Sequence, residues 1–340
     1  MSDLASNLTG KTIKGWKLER KLSIRGGFSS AYAVTNEEGT PAFMKAVNVG
    51  YAAQSMQFTG SRVDFMSFLL EEFKHERDLL ELCGDARLDR VVVALDSGEY
   101  SEASSPYFVP FLVFEFCKDG DVRRHPRLKQ PDLAWRLKVF HGICIGVSQL
   151  HSRSIVHEDL KPANVLVFGD DFSKISDLGF SVRDDKSARS TAAGPRGDLD
   201  FAPPELLYGH YDPDWNVRHK GADLFMLGGL LAFLVADVHL VGLILGKLPP
   251  AHHPKVWRGG YPAALPAVRS AIFDTIGDIT RSLPVEIQAD VREMLLWLCD
   301  AEPAKRGHPK TALSTFGDPH SLERIISIAD RIAKQARRIR

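Results

Sequence analysis

The apolar pattern of this chain changes period partway along, and that change limits the folds open to it. In the first hundred or so residues, apolar and polar positions alternate in short runs: WKLERKL (16–22), SAYAV (30–34) and AFMKAVNV (42–49), with NEEG (36–39) as a turn. Alternation with period two marks strands that bury one face. One long stretch differs: from about 63 to 83, Phe65, Leu69, Phe73, Glu76 and Leu80 recur on one side of a helix. RVVVALDSG (90–98) and PYFVPFLVFEF (106–116) return to strand patterns, and from about 131 helical spacing dominates, in 131–152, 221–236, 263–280 and 286–299. A sheet with one helix followed by a helical part predicts an α+β chain of two lobes, joined near Cys117–Gly120.

Composition narrows the function. Lys+Arg and Asp+Glu are equal at 43 each, so the formal net charge is zero. A general nucleic-acid or membrane-surface binder carries an excess of basic charge, so neither is expected as a partner. Cys83, Cys117, Cys144 and Cys299 form no C-x-x-C pair, and His252-His253 has no cysteine or carboxylate at ligand spacing. That pattern fits free thiols in a reducing cytoplasm better than disulfides or a zinc site. MSDLASNLTGK lacks the basic start and apolar run of a signal peptide. The most apolar stretch, Leu224–Ala236, holds 13 residues, fewer than a bilayer needs, and is expected to be a buried core helix rather than a membrane span.

The most informative stretch is VHEDLKPANVLV (156–167), followed by ISDLGF (175–180). Asp159 and Asp177 lie 18 residues apart, with Lys161 and Asn164 between them. VLVFG and SKIS suggest a hairpin that returns the second aspartate towards the first. Phosphoryl transfer calls for such a set. Metal ions on phosphates take hard oxygen ligands, which Asp177 and the Asn164 amide can supply. The attacking hydroxyl needs a carboxylate in hydrogen-bond reach, the role assigned to Asp159. Charge developing on the phosphoryl oxygens needs a fixed cation, for which Lys161 is placed.

These motifs resemble the eukaryotic-type protein kinase family. H-x-D-L-K-x-x-N is matched by His157, Asp159, Leu160, Lys161 and Asn164, and D-F-G by Asp177, Leu178 and Gly179. The resemblance implies a two-lobed kinase fold: an N-terminal tail over 1–14, a kinase domain over 15–315 and a C-terminal amphipathic helix over 316–340. Within the domain, a small β-sheet lobe with one helix (about 15–116) precedes a larger, mainly α-helical lobe (about 117–315). It further implies ATP with Mg2+, or Mn2+, and protein substrates. Lys45 in AFMK would hold phosphates, oriented by an ion pair with Glu76. LSIRGGFSSAY (22–32) would be the glycine-rich loop, with Gly26, Gly27 and Phe28 letting backbone N–H groups approach phosphate. Leu22, Ile24, Ser29, Ala31 and Leu166 would complete the nucleotide site, with the Glu115 carbonyl and the Cys117 backbone meeting adenine and Phe114 as gatekeeper. Asn164 and Asp177 would hold the metal. Glu205 in GDLDFAPPE and Arg306 would form a buried ion pair, and Asp223 in ADLFMLG, where Phe225 stands for the family's Trp, would brace the catalytic loop.

Four departures bear on activity. Glu158 stands where the family usually has Arg, a residue that meets a phosphate on the activation loop; activity is therefore expected not to require loop phosphorylation. Ser181, Ser187, Ser190 and Thr191 are either modification sites or ordinary loop residues. Phe43 replaces a small residue expected against adenine, while Ala31 replaces Val: either the swap conserves volume in a reshaped pocket that still binds nucleotide, or the phenyl takes the base's space and nucleotide binding is lost. Ile24 and Ser29 replace glycines. Asp198 replaces a Thr and could pair with Lys161. The 50–64 insertion before Glu76 is either an extended helix start or surface loop, or a regulatory contact.

Three readings follow: an active serine/threonine kinase, supported by Lys161-Pro162; a pseudokinase acting as scaffold or switch; and a small-molecule phosphotransferase of the aminoglycoside type, which the Glu205–Arg306 pair counts against. The tail has Leu322, Ile325, Ala329 and Ile332 on one face and five basic residues after Asp330. It either docks on the larger lobe or binds an acidic partner.

Overall fold

The computed structural model describes residues 4–22, 29–49, 61–103, 108–130, 132–185, 197–313 and 317–339. The chain divides into two compact units, Met1–Lys118 with Asp177–Gly179, and Asp119–Ser176 with Phe180–Arg340.

The first unit is an antiparallel sheet of β1 (Thr12–Ile13), β2 (Trp16–Leu22), β3 (Ser29–Thr35), β4 (Pro41–Val47), β5 (Ala94–Ser101) and β6 (Phe108–Glu115), in the order β1-β2-β3-β4-β6-β5. Alternate residues of these strands, among them Tyr32, Val34, Met44, Ala46, Phe111 and Val113, bury one face in a common core. The other parity puts Lys45 opposite Ala31 and Phe43 opposite Ala33. The β3–β4 turn closes on Asn36, whose Oδ1 accepts the N–H groups of Glu38 (3.1 Å) and Thr40 (2.7 Å). Helix α1 (Arg62–Asp85) opens on a capping box: Ser61 Oγ accepts the Asp64 N–H, and Asp64 Oδ2 accepts the Ser61 N–H. Phe65, Leu69, Phe73, Glu76 and Leu80 are all buried, as the periodicity predicts.

Two expectations for this unit need correction. Residues 4–13 are not a tail. Ala5 and Leu8 are fully buried in the sheet core, and the Tyr32 hydroxyl donates to the Ala5 carbonyl (2.7 Å) while accepting the Leu8 N–H (3.3 Å). The strand expected from residue 90 starts only at Ala94. Val91 and Val92 are buried, but the Val91 N–H closes a turn on the Leu88 carbonyl instead of entering the ladder.

The second unit is mainly helical, with α2 (Leu133–His151), α3 (Gly221–Ala236), α4 (Leu240–Lys247), α5 (Tyr261–Arg281), α6 (Val285–Leu298) and α7 (Glu323–Ala336). Asp132 caps α2 by accepting the Trp135 N–H at 2.9 Å. Two small pairings flank the catalytic-loop sequence: β7 (Ile155–Val156) with β10 (Val182–Arg183), and the hairpin of β8 (Val165–Phe168) with β9 (Phe172–Ile175), registered Val165 to Ile175. Apart from Asp223, α3 is apolar on all sides, and it is buried from Gly221 to Val235, as a central core helix must be. With the π-helical turn before it, the helical run covers Asn216–Ala236, longer than the apolar stretch suggested. Among the described residues it alone is long and apolar enough to cross a membrane, and 89% of its apolar window is buried within the protein. α4 was not expected, since LVGLILGK is a short apolar run without a resolvable period. α7 packs on α2 and α6 through Ile325, Ala329 and Ile332, and Arg331 clasps Asp290 with two bonds of 2.7 and 3.0 Å. The docked alternative for the tail is the one observed.

Candidate active site

In the first unit the site is built on Lys45, which β4 points away from the sheet core. Its ammonium donates to both carboxylate oxygens of Glu76, each at 2.9 Å, and to Asp177 Oδ1 at 3.1 Å. Glu76 reaches it from the buried side of α1. Burial opposes charge on Lys45, but the neighbouring carboxylates of Asp177 and Glu76 outweigh it and hold the ammonium pKa well above that of an ordinary lysine. Burial pushes Glu76 upward, with Lys45 pulling against it and Asp177 adding to the rise. Asp177 has left-handed backbone (φ 65°), an uncommon state for a non-glycine residue and one that functional sites concentrate. Phe43 faces Phe114 across the β4–β6 ladder, with ring centroids 6.1 Å apart, on the same parity as Lys45 and Ala31. The phenyl is thus partly occupied by a cross-strand aromatic contact.

In the second unit the site is the loop after β7. Asp159 is buried and held from several directions. Lys161 Nζ donates to its Oδ2 (2.9 Å) and Oδ1 (3.1 Å), Asn164 Nδ2 to its Oδ2 (3.0 Å) and its carbonyl (2.9 Å), and the Asp198 N–H to its Oδ1 (2.8 Å). Asp198 also stands 3.6 Å from Lys161, as expected of a carboxylate at that position. Because the Asn164 amide nitrogen is committed to Asp159, its carbonyl oxygen is the end it can offer to a cation.

The loop itself hangs on Asp223 of α3. Asp223 Oδ2 accepts the His157 N–H and Oδ1 the Glu158 N–H, both at 2.9 Å, and His151 Nε2 bonds Oδ2 at 2.9 Å. Burial would raise the Asp223 pKa, but the hydrogen bond and positive field of His151, with the His157 contacts, hold it below the usual carboxylate range. His157 Nδ1 accepts the Asp159 N–H (3.2 Å) and Nε2 faces the Ser176 carbonyl (3.1 Å), which puts the ring proton on Nε2. Downstream, the Arg306 guanidinium clasps Glu205 with bonds of 2.7 and 2.6 Å, both side chains buried.

The sequence-derived residues that are described fall into two groups. Lys45, Glu76 and Asp177 meet in the first unit, where Leu22, Ser29 and Ala31 lie on β2 and β3, and half-buried Glu115 and Cys117 lie at and beyond the end of β6. Asp159, Lys161 and Asn164 meet in the second, where Leu166 lies on β8. Ile24, Gly26, Gly27, Phe28, Ser187, Ser190, Thr191 and most of the 50–64 insertion lie outside the described residues. Ser181 does not suit either role considered for it. It is fully buried, with its hydroxyl donating to the His157 carbonyl, because β10 pairs with β7 there and carries it into the core.

Three residues escaped the sequence reading. His151 carries no motif and is found only through Asp223. Gly197 (φ 68°) packs directly on Asp159 and Glu158. His219 bonds the Glu158 carboxylate through Nδ1, both buried, so the carboxylate at the family's Arg position has an internal partner.

Comparison with known proteins agrees with this geometry. The family model described as "Protein kinase domain" matches residues 24–315. Similar curated proteins include the calcium/calmodulin-dependent protein kinase kinase cmkC of Emericella nidulans, 28% identical over 204 residues (58% of this chain, 33% of that protein). An Aurora kinase of Debaryomyces hansenii is 24% identical over 198 residues (58% of this chain, 41% of that protein). The serine/threonine-protein kinase par-4 of Caenorhabditis elegans is 28% identical over 234 residues (64% and 33%). The matched segments span about a third to two fifths of the length of these relatives.

Proposed function

The chain belongs to the protein kinase domain family, and on that premise we propose that it transfers the γ-phosphate of ATP to serine or threonine hydroxyls of protein substrates. The observation that carries the reading is the double commitment to Asp159: Lys161 and Asn164 both bond its carboxylate, so the proposed base arrives aimed and its cation and amide neighbours are already in place. Asp159 takes the proton of the attacking hydroxyl, and Lys161 stands against charge growing on the phosphoryl oxygens. Lys45, fixed by Glu76, pairs with phosphate oxygens. The carboxylate of Asp177 and the amide oxygen of Asn164 are hard oxygen donors of the kind that hold Mg2+ or Mn2+, which when bound neutralises phosphate charge.

Two departures that raised a pseudokinase reading are absorbed locally. The Asp198 carboxylate stands 3.6 Å from Lys161, and the Glu158 carboxylate is bonded to His219. Preference for serine and threonine rests on Lys161-Pro162 and on relatives that carry that name. A cytoplasmic setting is proposed from the four free cysteines, three of them buried.

The test incubates the pure protein with labelled ATP, Mg2+ and generic basic or acidic protein substrates, beside Asp159→Asn and Asp177→Asn. Transfer to serine or threonine by the wild type alone is the expected result. No transfer, together with no nucleotide-induced rise in Tm, would replace the enzyme with a scaffold.

A further inference from the structure

Glu158 is costly where it stands. Its backbone is left-handed (φ 59°), a conformation that disfavours any residue with a Cβ, and its carboxylate is buried. Three contacts hold it there, and all converge on this one residue. The Glu158 N–H donates to Asp223 Oδ1 at 2.9 Å. The Glu158 carbonyl lies against Gly197, close enough that a Cβ there would sit 2.7 Å from the oxygen. The carboxylate accepts a hydrogen bond from His219 Nδ1. His219 lies on the π-helical turn Asn216–Lys220, immediately before α3, and its imidazole packs on Trp215 with ring centroids 5.1 Å apart. π turns insert one extra residue and re-aim the side chains beside them, and they recur at functional sites. Glu158 is thus gripped twice from one continuous helical run, through its N–H by Asp223 and through its side chain by His219. The next residue is Asp159.

We propose that His219 is a positioning residue for phosphoryl transfer: by holding the Glu158 carboxylate it fixes the 158–159 peptide and hence the aim of Asp159. The inference rests on the phosphotransferase reading given above. In this chain the grip on the catalytic loop is internal, because both partners are buried in the same unit.

His219→Leu keeps similar bulk without a donor, and His219→Asn restores an N–H near the Nδ1 position. For His219→Leu the expected result is a fall in kcat of about 10–100-fold, the scale of an ångström-sized misplacement of a catalytic group, with KM for ATP and peptide within about twofold of wild type, as for a loss felt only in the transition state. His219→Asn should recover most of the lost kcat, a rescue that a general packing role would not give. Hydrogen exchange over 156–161 should be faster in His219→Leu than in wild type and should return towards wild type in His219→Asn. If His219→Leu fails to fold because it strands a buried carboxylate, the pair Glu158→Leu/His219→Leu removes both polar partners and is expected to show the same low kcat and fast exchange. Wild-type kcat in His219→Leu or in the pair variant overturns the proposal, as does unchanged exchange, or an asparagine variant as impaired as the leucine one. Wild-type protein without any transfer would instead overturn the phosphotransferase reading, and the exchange comparison would still decide the role of His219.

Discussion

Gly197 lies so close to Asp159 that a Cβ built on it would stand 2.5 Å from Asp159 Oδ1. Its φ of +68° is one that residues with a side chain rarely adopt. Together these put the Asp198 N–H within 2.8 Å of the same oxygen. A methyl group at 197 would push either the carboxylate or the donor away. Gly197→Ala should therefore lower kcat by about 10–100-fold and cost about 1–2 kcal/mol for the left-handed backbone. Gly209, with the same φ of +68° and nothing within 4 Å, is the control. Gly209→Ala should lose similar stability and keep its activity. Equal kcat in the two variants would dismiss steric control of Asp159 by Gly197.

Why Gly197 and His219 could not be read from the sequence, while Lys45, Glu76, Asp159, Lys161, Asn164 and Asp177 could, has a physical cause. The latter are fixed by local geometry. The alternation of β4 and the period of α1 orient Lys45 and Glu76, and the short loop after β7 forces Asp159, Lys161 and Asn164 together at fixed spacing. Gly197 and His219 act through approaches between segments 38 and 61 residues apart in sequence, and a glycine or histidine in a polar stretch carries no periodic signal of that. Burial of Ala5 and Leu8 was hidden for the same reason. They sit in a run of polar residues, and it is packing in the sheet core, together with the Tyr32 hydroxyl, that ties them to the sheet. The delayed start of β5 reflects the opposite ambiguity: Val91 and Val92 are apolar enough for a strand yet are buried through a turn.

Glu158 also bears on phosphorylation. A phosphate brought towards a buried carboxylate already bonded to His219 meets repulsion, with no Arg at that position to offset it. Phosphatase treatment, or joint replacement of Ser187, Ser190 and Thr191 by Ala, should leave kcat within about twofold, since no charge-assisted bond to the loop is lost at position 158. Loss of activity on phosphatase treatment, recovered on rephosphorylation, would contradict this.

Asp223 makes the fold acid-sensitive in a defined direction. Its folded pKa is depressed below its unfolded value by the hydrogen bond from His151 and the contacts with His157. Its contribution to stability is therefore fully present above the unfolded value, about 3.9, and is lost as pH falls through the folded one. The urea midpoint of the wild type should drop through that window. Asp223→Asn should be weaker already at pH 7, by about 2 kcal/mol or more because a buried charged hydrogen-bond network is cut, and its midpoint should decline less from pH 5 downward. Parallel acid limbs in the two proteins would refute the assignment.

Arg306 and Glu205 form the most completely buried ion pair described in the second unit, with exposures of 1% and 3%. The guanidinium is also satisfied elsewhere: Nε donates to the Asp300 carbonyl (2.9 Å), Nη1 to the Gly221 carbonyl (3.0 Å), and the plane lies 5.0 Å over the Phe225 ring. Removing the cation leaves Glu205 buried and unpaired, so Arg306→Leu should destabilise the protein by about 3–5 kcal/mol. Arg306→Lys keeps the charge but cannot make the two-pronged bond or stack on Phe225, and should recover only part of that loss. The double variant Glu205→Leu/Arg306→Leu strands no charge and should be more stable than Arg306→Leu alone, as a double-mutant cycle on denaturation midpoints would show. If the double variant were the least stable of the three, the cost would lie in lost packing around Phe225 and Gly221 rather than in an unpaired carboxylate.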